Sequence, residues 1–177
     1  GNIGLNAMNV FLRNNYKVIV IDKHPETLRE RMLPLMGDLE LENGKVEIVK
    51  FDESNSIESV NKIRLLLPTT DIVINAAVRR STFPKSTCEF IITKEDLSLM
   101  KPNSILCDAT ACDNDYIETA ISSESLSDWY KVDGVVHYNC DHIPSLVANT
   151  ATQLLTTATY PYIRLLADND FEGAVGL

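Results

Sequence analysis

Apolar and polar positions alternate between two periods along this chain, 3.6 in some segments and strand-like runs in others. Asn2 to Asn14 places Ile3, Leu5, Ala7, Met8, Val10, Phe11 and Leu12 around a strongly apolar helix, and Lys17 to Asp22 reads as a buried parallel strand. Pro25 suits the first turn of the next helix, where its missing N–H has no partner to lose, and Leu28, Met32 and Leu35 follow on one face, with Gly37 near its end. Val46 to Phe51 is the next predicted strand. Ser54 to Leu67 is the next helix, with Ile57, Val60, Ile63 and Leu67 at helical spacing before Pro68 breaks the pattern.

Asp71 to Val78 is continuously apolar except for Asn75, the pattern of a strand covered on both faces and central in its sheet. Thr93 caps a short helix in Thr93-Lys94-Glu95-Asp96, Lys101-Pro102-Asn103 makes a turn, and Ser104 to Asp108 is another buried strand. Gly134 to Tyr138 is the last predicted strand. Thr150 to Ala167 is a long apolar helix with Pro161 inside it, where a kink is expected. Strands alternating with crossover helices define an α/β fold of the Rossmann-like, doubly wound, mostly parallel type, followed by a long C-terminal helix. The expected division is a dinucleotide-binding domain over 1–148 and a C-terminal helix and tail over 149–177.

Composition narrows the function. The 177 residues, 45% apolar, suffice for one sizeable core, and a net charge of -9 opposes binding to phosphate backbones, so nucleic acid is not an expected partner. Apolar runs such as Ile63 to Pro68 fall far below the roughly 20 residues of a membrane-spanning helix. With no secretion signal visible either, a cytoplasmic location is expected. Cys88, Cys107, Cys112 and Cys140 form no C-x-x-C pair and are read as reduced thiols. Cys107, Cys112 and Asp113, with His137, Cys140 and His142, are of the types that ligate zinc, but Cys107 ends an apolar run as a small hydrophobe does, and no metal is expected.

Gly1-Asn2-Ile3-Gly4 matches the last two glycines of G-x-G-x-x-G with a helix following, although the first glycine and its strand are absent from the sequence. Asp22, eighteen positions beyond Gly4, closes an apolar strand where an acidic side chain takes the ribose hydroxyls of NAD and repels the 2'-phosphate of NADP. The adjacent Lys23 offsets part of that repulsion. His137 ends a strand and reads as packed. The bland alternatives are a helix packed closely on a sheet at Gly4 and a surface turn or cap at Asp113.

Longer stretches carry a family resemblance. Asp133-Gly134-Val135-Val136-His137-Tyr138, Ile143-Pro144, Thr150-Ala151-Thr152 and Ala158-Thr159-Tyr160-Pro161-Tyr162 resemble the C-terminal signature of alanine dehydrogenases and of the transhydrogenase α subunit. The likeness extends through Thr70 to Ile74, Met100 to Ser104 and Asp108 to Asp113. It implies an NAD(H)-binding domain of an amino-acid dehydrogenase, with Gly1, Gly4, Asp22, Ala77, Val78, Asn139 and Ile143 lining the cofactor site. It also implies that Asp113 acts beside the nicotinamide and that His142 stands in the crossover next to it. The family's catalytic His and Lys would lie upstream, so the chain alone is expected to be inactive. Where the family usually reads Asn-Met-Pro-Gly-Ala-Val-Pro-Arg, this chain has His142-Ile143-Pro144-Ser145-Leu146-Val147-Ala148-Asn149, and Asp141 to Ser145 leans toward saccharopine-forming reductases. The substrate is therefore expected only as a class, a small amino acid or keto acid. An NAD(H)-sensing or scaffolding module without catalysis is the alternative. The apolar surface of the last helix predicts a homo-oligomer.

Overall fold

A computed structural model describes residues 1–36, 44–169 and 173. The chain divides into two compact units, 1–141 and 142–177. The expectations for Gly37 and for the tail beyond Asn169, save Gly173, lie outside the described residues.

The first unit opens with α1 (Asn2–Arg13), β1 (Val18–Asp22), α2 (Pro25–Met36), β2 (Val46–Lys50) and α3 (Ser56–Leu66). It continues through β3 (Ile72–Asn75), β4 (Ile105–Asp108), β5 (Tyr130–Val132) and β6 (Val135–Tyr138). The strands form two sheets. β1 pairs with β2 in parallel, and a four-stranded sheet runs β3-β4-β6-β5, parallel except for β5. Among the described residues β1 and β3 are not paired with each other.

Each sheet carries its own core. Leu5, Met8 and Leu12 recur at helical spacing on α1 and bury themselves with Leu28 and Met32 of α2 against Val18, Val20, Val46 and Ile48. Each such side chain withdrawn from water contributes about 1.5–3 kcal/mol before chain entropy is charged. The opposite face of α1 stays open, with Ile3 and Val10 both exposed. The second core gathers Ile63, Leu67, Ile92, Leu97, Met100, Leu106, Ile117, Ala120 and Val135.

Four expectations need correction. β1, expected as a buried strand, is half-buried with Ile21 exposed, because among the described residues it has β2 alone as a paired neighbour. β3 ends at Asn75 and not at Val78, because Asn75 turns its side chain back on the chain: Oδ1 accepts from Ala77 N–H (3.2 Å) while Nδ2 donates to Asp108 Oδ1 (3.1 Å). β3 is also an edge strand among the described residues, not a central one, and its Ile72 is exposed. On α3, Ile57 faces solvent, and Ser56 and Ser59 take inward positions instead. Ser59 Oγ accepts from Asp52 N–H (2.8 Å), tying α3 to the exit of β2.

β5 was not anticipated. It pairs antiparallel with β6 across Asp133-Gly134, both at positive φ (48° and 85°), the conformation a two-residue hairpin turn requires. The Thr93–Asp96 cap forms as expected: Asp96 Oδ2 accepts from Thr93 N–H (2.9 Å) and Thr93 Oγ1 from Asp96 N–H (3.3 Å), ahead of a 3₁₀ turn at Glu95–Leu99.

The second unit is a 3₁₀ turn, Ile143–Val147, followed by α4 (Ala148–Asp168), which runs unbroken through Pro161. No residue of α4 is buried. Among the described residues no helix is long and apolar enough to cross a membrane.

Candidate functional site

The first turn of α1 touches the ends of both sheets. The backbone nitrogen of Gly1 lies 3.9 Å from Asp22 Oδ2 at the end of β1. A Cβ placed on Gly4 would stand 3.6 Å from the Cβ of Ala76, just past the end of β3. Gly1 has open space on its Cβ side, with nothing within 4 Å. A helix N-terminus presents unpaired N–H groups and the positive end of its dipole, so this corner offers anion-binding donors beside a carboxylate. Asp22 is held in place through one oxygen: Oδ1 accepts from His24 N–H (2.8 Å). Oδ2 faces the Gly1 nitrogen and makes no hydrogen bond among the described residues. Those features fit a dinucleotide, with phosphates over the helix start and a ribose diol at the free carboxylate oxygen.

Ala77 and Val78 follow Ala76 in the segment that leaves β3, and both are exposed. The same segment carries Arg79. Its backbone N–H reaches Asp115 Oδ2 (3.1 Å), Nε donates to Asp115 Oδ1 (2.7 Å), and the remaining guanidinium donors go to the carbonyls of Phe83, Cys88, Glu89 and Asp115. The guanidinium also sits 4.6 Å from the Tyr116 ring centroid. Arg79 thereby locks the loop after β3 to the loop after β4, which carries Asp113.

Asp113 is exposed, and its Oδ1 accepts from Ser122 N–H (2.6 Å). That backbone hydrogen bond holds its carboxyl below the ordinary aspartate range, so it is a carboxylate at neutral pH. Nearby, Lys85 Nζ donates to Asn114 O (2.6 Å).

A buried polar network backs this corner. Asp108, at the end of β4, is fully buried; its Oδ1 accepts from Asn75 Nδ2, Thr110 N–H (2.9 Å) and Thr110 Oγ1–H (2.6 Å). Its Oδ2 is enclosed with no donor among the described residues. Asn139 is also buried: Oδ1 accepts from Asp108 N–H (3.1 Å), and Nδ2 donates to Tyr130 Oη (2.7 Å) and Ile121 O (3.3 Å). Tyr130 stacks on His137 at 4.9 Å between ring centroids. His137 is packed, as expected, and burial lowers its pKa. Because Val135 O can only accept, Nδ1 carries the proton toward it (3.1 Å), and Nε2 accepts from Thr119 Oγ1 (2.8 Å).

His142 and Ile143 belong to the second unit. His142 is exposed and precedes the 3₁₀ turn, its carbonyl accepting from Ser145 N–H (2.8 Å) and Oγ–H (2.6 Å). The structure thus gathers Gly1, Gly4 and Asp22 with the start of the Ala77–Val78 segment, joins that segment to the Asp113 loop, and sets Asn139 behind them. The four cysteines are free thiols, and burial raises Cys107 to about 11.

Sequence reading missed Arg79, Asp108 and Tyr130. Asp108 shares with Asp22 the signature of an acid closing an apolar strand, so a signal existed. For Arg79 it did not, because its partner Asp115 lies thirty-six positions away and only folding reveals the pair.

Parallel strands joined by crossover helices, with a helix N-terminus set beside a strand-terminal carboxylate, place the first unit in the Rossmann-like class. Residues 1–176 match the family described as alanine dehydrogenase/PNT, C-terminal domain, and the chain belongs to that family. It is 32% identical over 178 residues to an alanine dehydrogenase of Halomonas elongata, covering 99% of this chain and 42% of that protein. It is 31% identical to alanine dehydrogenase 1 of Staphylococcus aureus, covering 96% of this chain and 41% of that protein. Among solved structures, an L-alanine dehydrogenase has the same fold, with a TM-score of 0.74 and 23% identity over 98% of this chain and 43% of that one. A transhydrogenase from Sinorhizobium meliloti matches with a TM-score of 0.65 and 22% identity over 94% of this chain and 43% of that one. The chain thus spans about two-fifths of the length of these relatives.

Proposed function

We propose that this chain is the NAD(H)-binding part of a cytoplasmic amino-acid dehydrogenase, residues 1–148 forming the cofactor domain and 149–177 the helix and tail leading to a substrate domain. The observation that carries the reading is the corner where Gly1 lies against Asp22 and Gly4 against Ala76. It combines the N–H donors a diphosphate needs with a carboxylate oxygen left free for a ribose diol. Bound NAD supplies a hydride acceptor for the Cα hydrogen of a small amino acid, and NADH returns the hydride in reductive amination.

The chain's own residues orient and polarise. Gly1 and the exposed Ala77–Val78 backbone admit the cofactor closely, Gly4 lets the start of α1 pack on Ala76, and Asn139 holds the ends of β4 and β6 behind it. Asp113, an exposed carboxylate, stabilises positive charge as the amine becomes an iminium. By the family resemblance alone, His142 is assigned as a hydrogen-bond donor and Ile143 as a cofactor contact. The uncovered apolar side chains of α4 support a homo-oligomer.

Calorimetric titration of NAD, NADH and NADP into the intact protein, with and without Asp22→Ala, tests the reading. NAD(H) binds more tightly than NADP, and the substitution weakens NAD more than NADP. Equal affinity of the unmutated protein for NAD and NADP overturns the assignment of Asp22. Tight NADH binding without turnover of any amino acid identifies a nucleotide-sensing module instead.

A further inference from the structure

Lys23 directly follows Asp22, and a free ammonium there would favour a 2'-phosphate. The structure shows where that charge goes. Lys23 Nζ sits between the two carboxylate oxygens of Glu53, 3.2 Å from Oε1 and 3.4 Å from Oε2. Both side chains are about one-third exposed, at 32% each. Glu53 is not placed there by chance contact of two long side chains, because the residues on either side of it are fixed at three points, Phe51, Asp52 and Ser54. Phe51 N–H donates to Asp22 O (3.0 Å), drawing the exit of β2 beside the end of β1. Asp52 N–H donates to Ser59 Oγ (2.8 Å), and Asp52 Oδ1 caps the 3₁₀ turn Glu53–Asn55 by accepting from Ser54 N–H (2.9 Å) and Oγ–H (2.6 Å).

The rim around Asp22 therefore holds three acids, Asp22, Asp52 and Glu53, and two lysines, Lys23 and Lys50. Lys50 stands opposite Asp22 in the strand register and lends its charge to Asp52, helping the Ser54 hydrogen bonds keep that carboxyl low. Lys23 is claimed by Glu53. The next residue, His24, sets its imidazole Nδ1 3.6 Å from Glu26 Oε1.

We infer that Glu53 is a specificity-determining residue, which sets the preference for NAD over NADP by holding Lys23 away from the cofactor's 2' position. Asp22 alone repels a phosphate, but with a lysine as its neighbour that repulsion is only partial; Glu53 restores it. This rests on the assignment of the adenosine ribose to Asp22.

The test measures dissociation constants of NADH and NADPH by nucleotide fluorescence on the intact protein and on Glu53→Gln, Lys23→Gln and the double variant. Glu53→Gln tightens NADPH binding about fivefold, the size of one screened charge interaction at a protein surface, and leaves NADH within about twofold. Unchanged NADH binding also certifies that the variant is folded. In the double variant the NADPH gain disappears. An unchanged NADPH-to-NADH ratio in Glu53→Gln overturns the inference while leaving the NAD site standing. A gain equally large in the double variant also overturns it, since removing an acid would then suffice without Lys23. If the unmutated protein binds neither nucleotide, the ribose assignment fails and the inference falls with it.

Discussion

Arg79 gives its backbone N–H and its Nε–H to the two oxygens of a single carboxylate, Asp115, at 3.1 and 2.7 Å. Both side chains are largely enclosed, at 12% and 14% exposure, so removing one partner strands a charge out of water. Arg79→Ala is expected to destabilise the fold by about 3 kcal/mol in urea titration. Arg79→Lys recovers little, because an ammonium cannot supply the planar fork of donors that also reaches Cys88 O and Glu89 O. Stability unchanged in Arg79→Ala would contradict the clamp.

The two glycines of α1 separate fold from ligand. A Cβ on Gly4 would make an ordinary contact with Ala76 at 3.6 Å, and alanine is the better helix former. Gly4→Ala is therefore expected to raise the melting temperature by about 2 °C, from a gain of roughly 0.5–1 kcal/mol, with NADH affinity retained. Gly1→Ala meets no protein atom, so stability holds, but its methyl group occupies the approach to the helix start and NADH affinity falls about tenfold or more. Differential scanning calorimetry and NADH titration on the same samples distinguish the two.

Stability should decline on mild acidification. Burial disfavours the charged form of His137, so the folded protein resists a proton that the unfolded chain accepts near 6.5. Below that pH the unfolded state binds more protons, and stability falls as pH falls. Asp52, Asp96 and Asp113 also have lowered values, but from 3.8, so their stabilisation is lost only at stronger acidity. Urea midpoints at pH 7.5, 6.0 and 5.0 should drop across this range, and His137→Gln should flatten the drop. An equal slope in the variant would assign the effect elsewhere.

Leu154, Leu155, Tyr160, Tyr162, Ile163 and Leu166 are all more than half exposed on α4. Large apolar side chains at this density mark an interaction surface. Sedimentation of the intact protein at micromolar concentration is expected to show a dimer or larger species, and Leu154→Glu with Ile163→Glu to shift it toward monomer. A monomeric unmutated protein would remove the basis for self-association.

Much of this fold was legible from periodicity, because α1 and α2 bury side chains at helical spacing, β4 and β6 bury alternate residues, and β1 and β2 half-bury valines and isoleucines against the two helices. The misreadings occur where a polar side chain decides the backbone. Asn75 halts β3 by bonding its own turn, and Ser59 turns α3 so that Ile57 faces out; neither effect alters hydropathy. β5 was signalled by Asp133-Gly134 between Val132 and Val135, but three residues are too short for alternation to register. At the site, Gly1, Gly4 and Asp22 announce themselves by type and spacing. Arg79 and Lys23 do not, because their meaning depends on which acid, distant in sequence, folding brings to them.

The two cores of the first unit meet different sheets, and the start of α1 reaches the ends of both. Such a body need not melt as one. Amides of β1 and β2 should exchange with solvent through openings distinct from those of β4 and β6, each core setting its own protection. A nucleotide engaging Asp22 on one side and the Asp113 loop on the other would bind only when both are formed. Cofactor occupancy would then be read as a merging of two exchange rates into one.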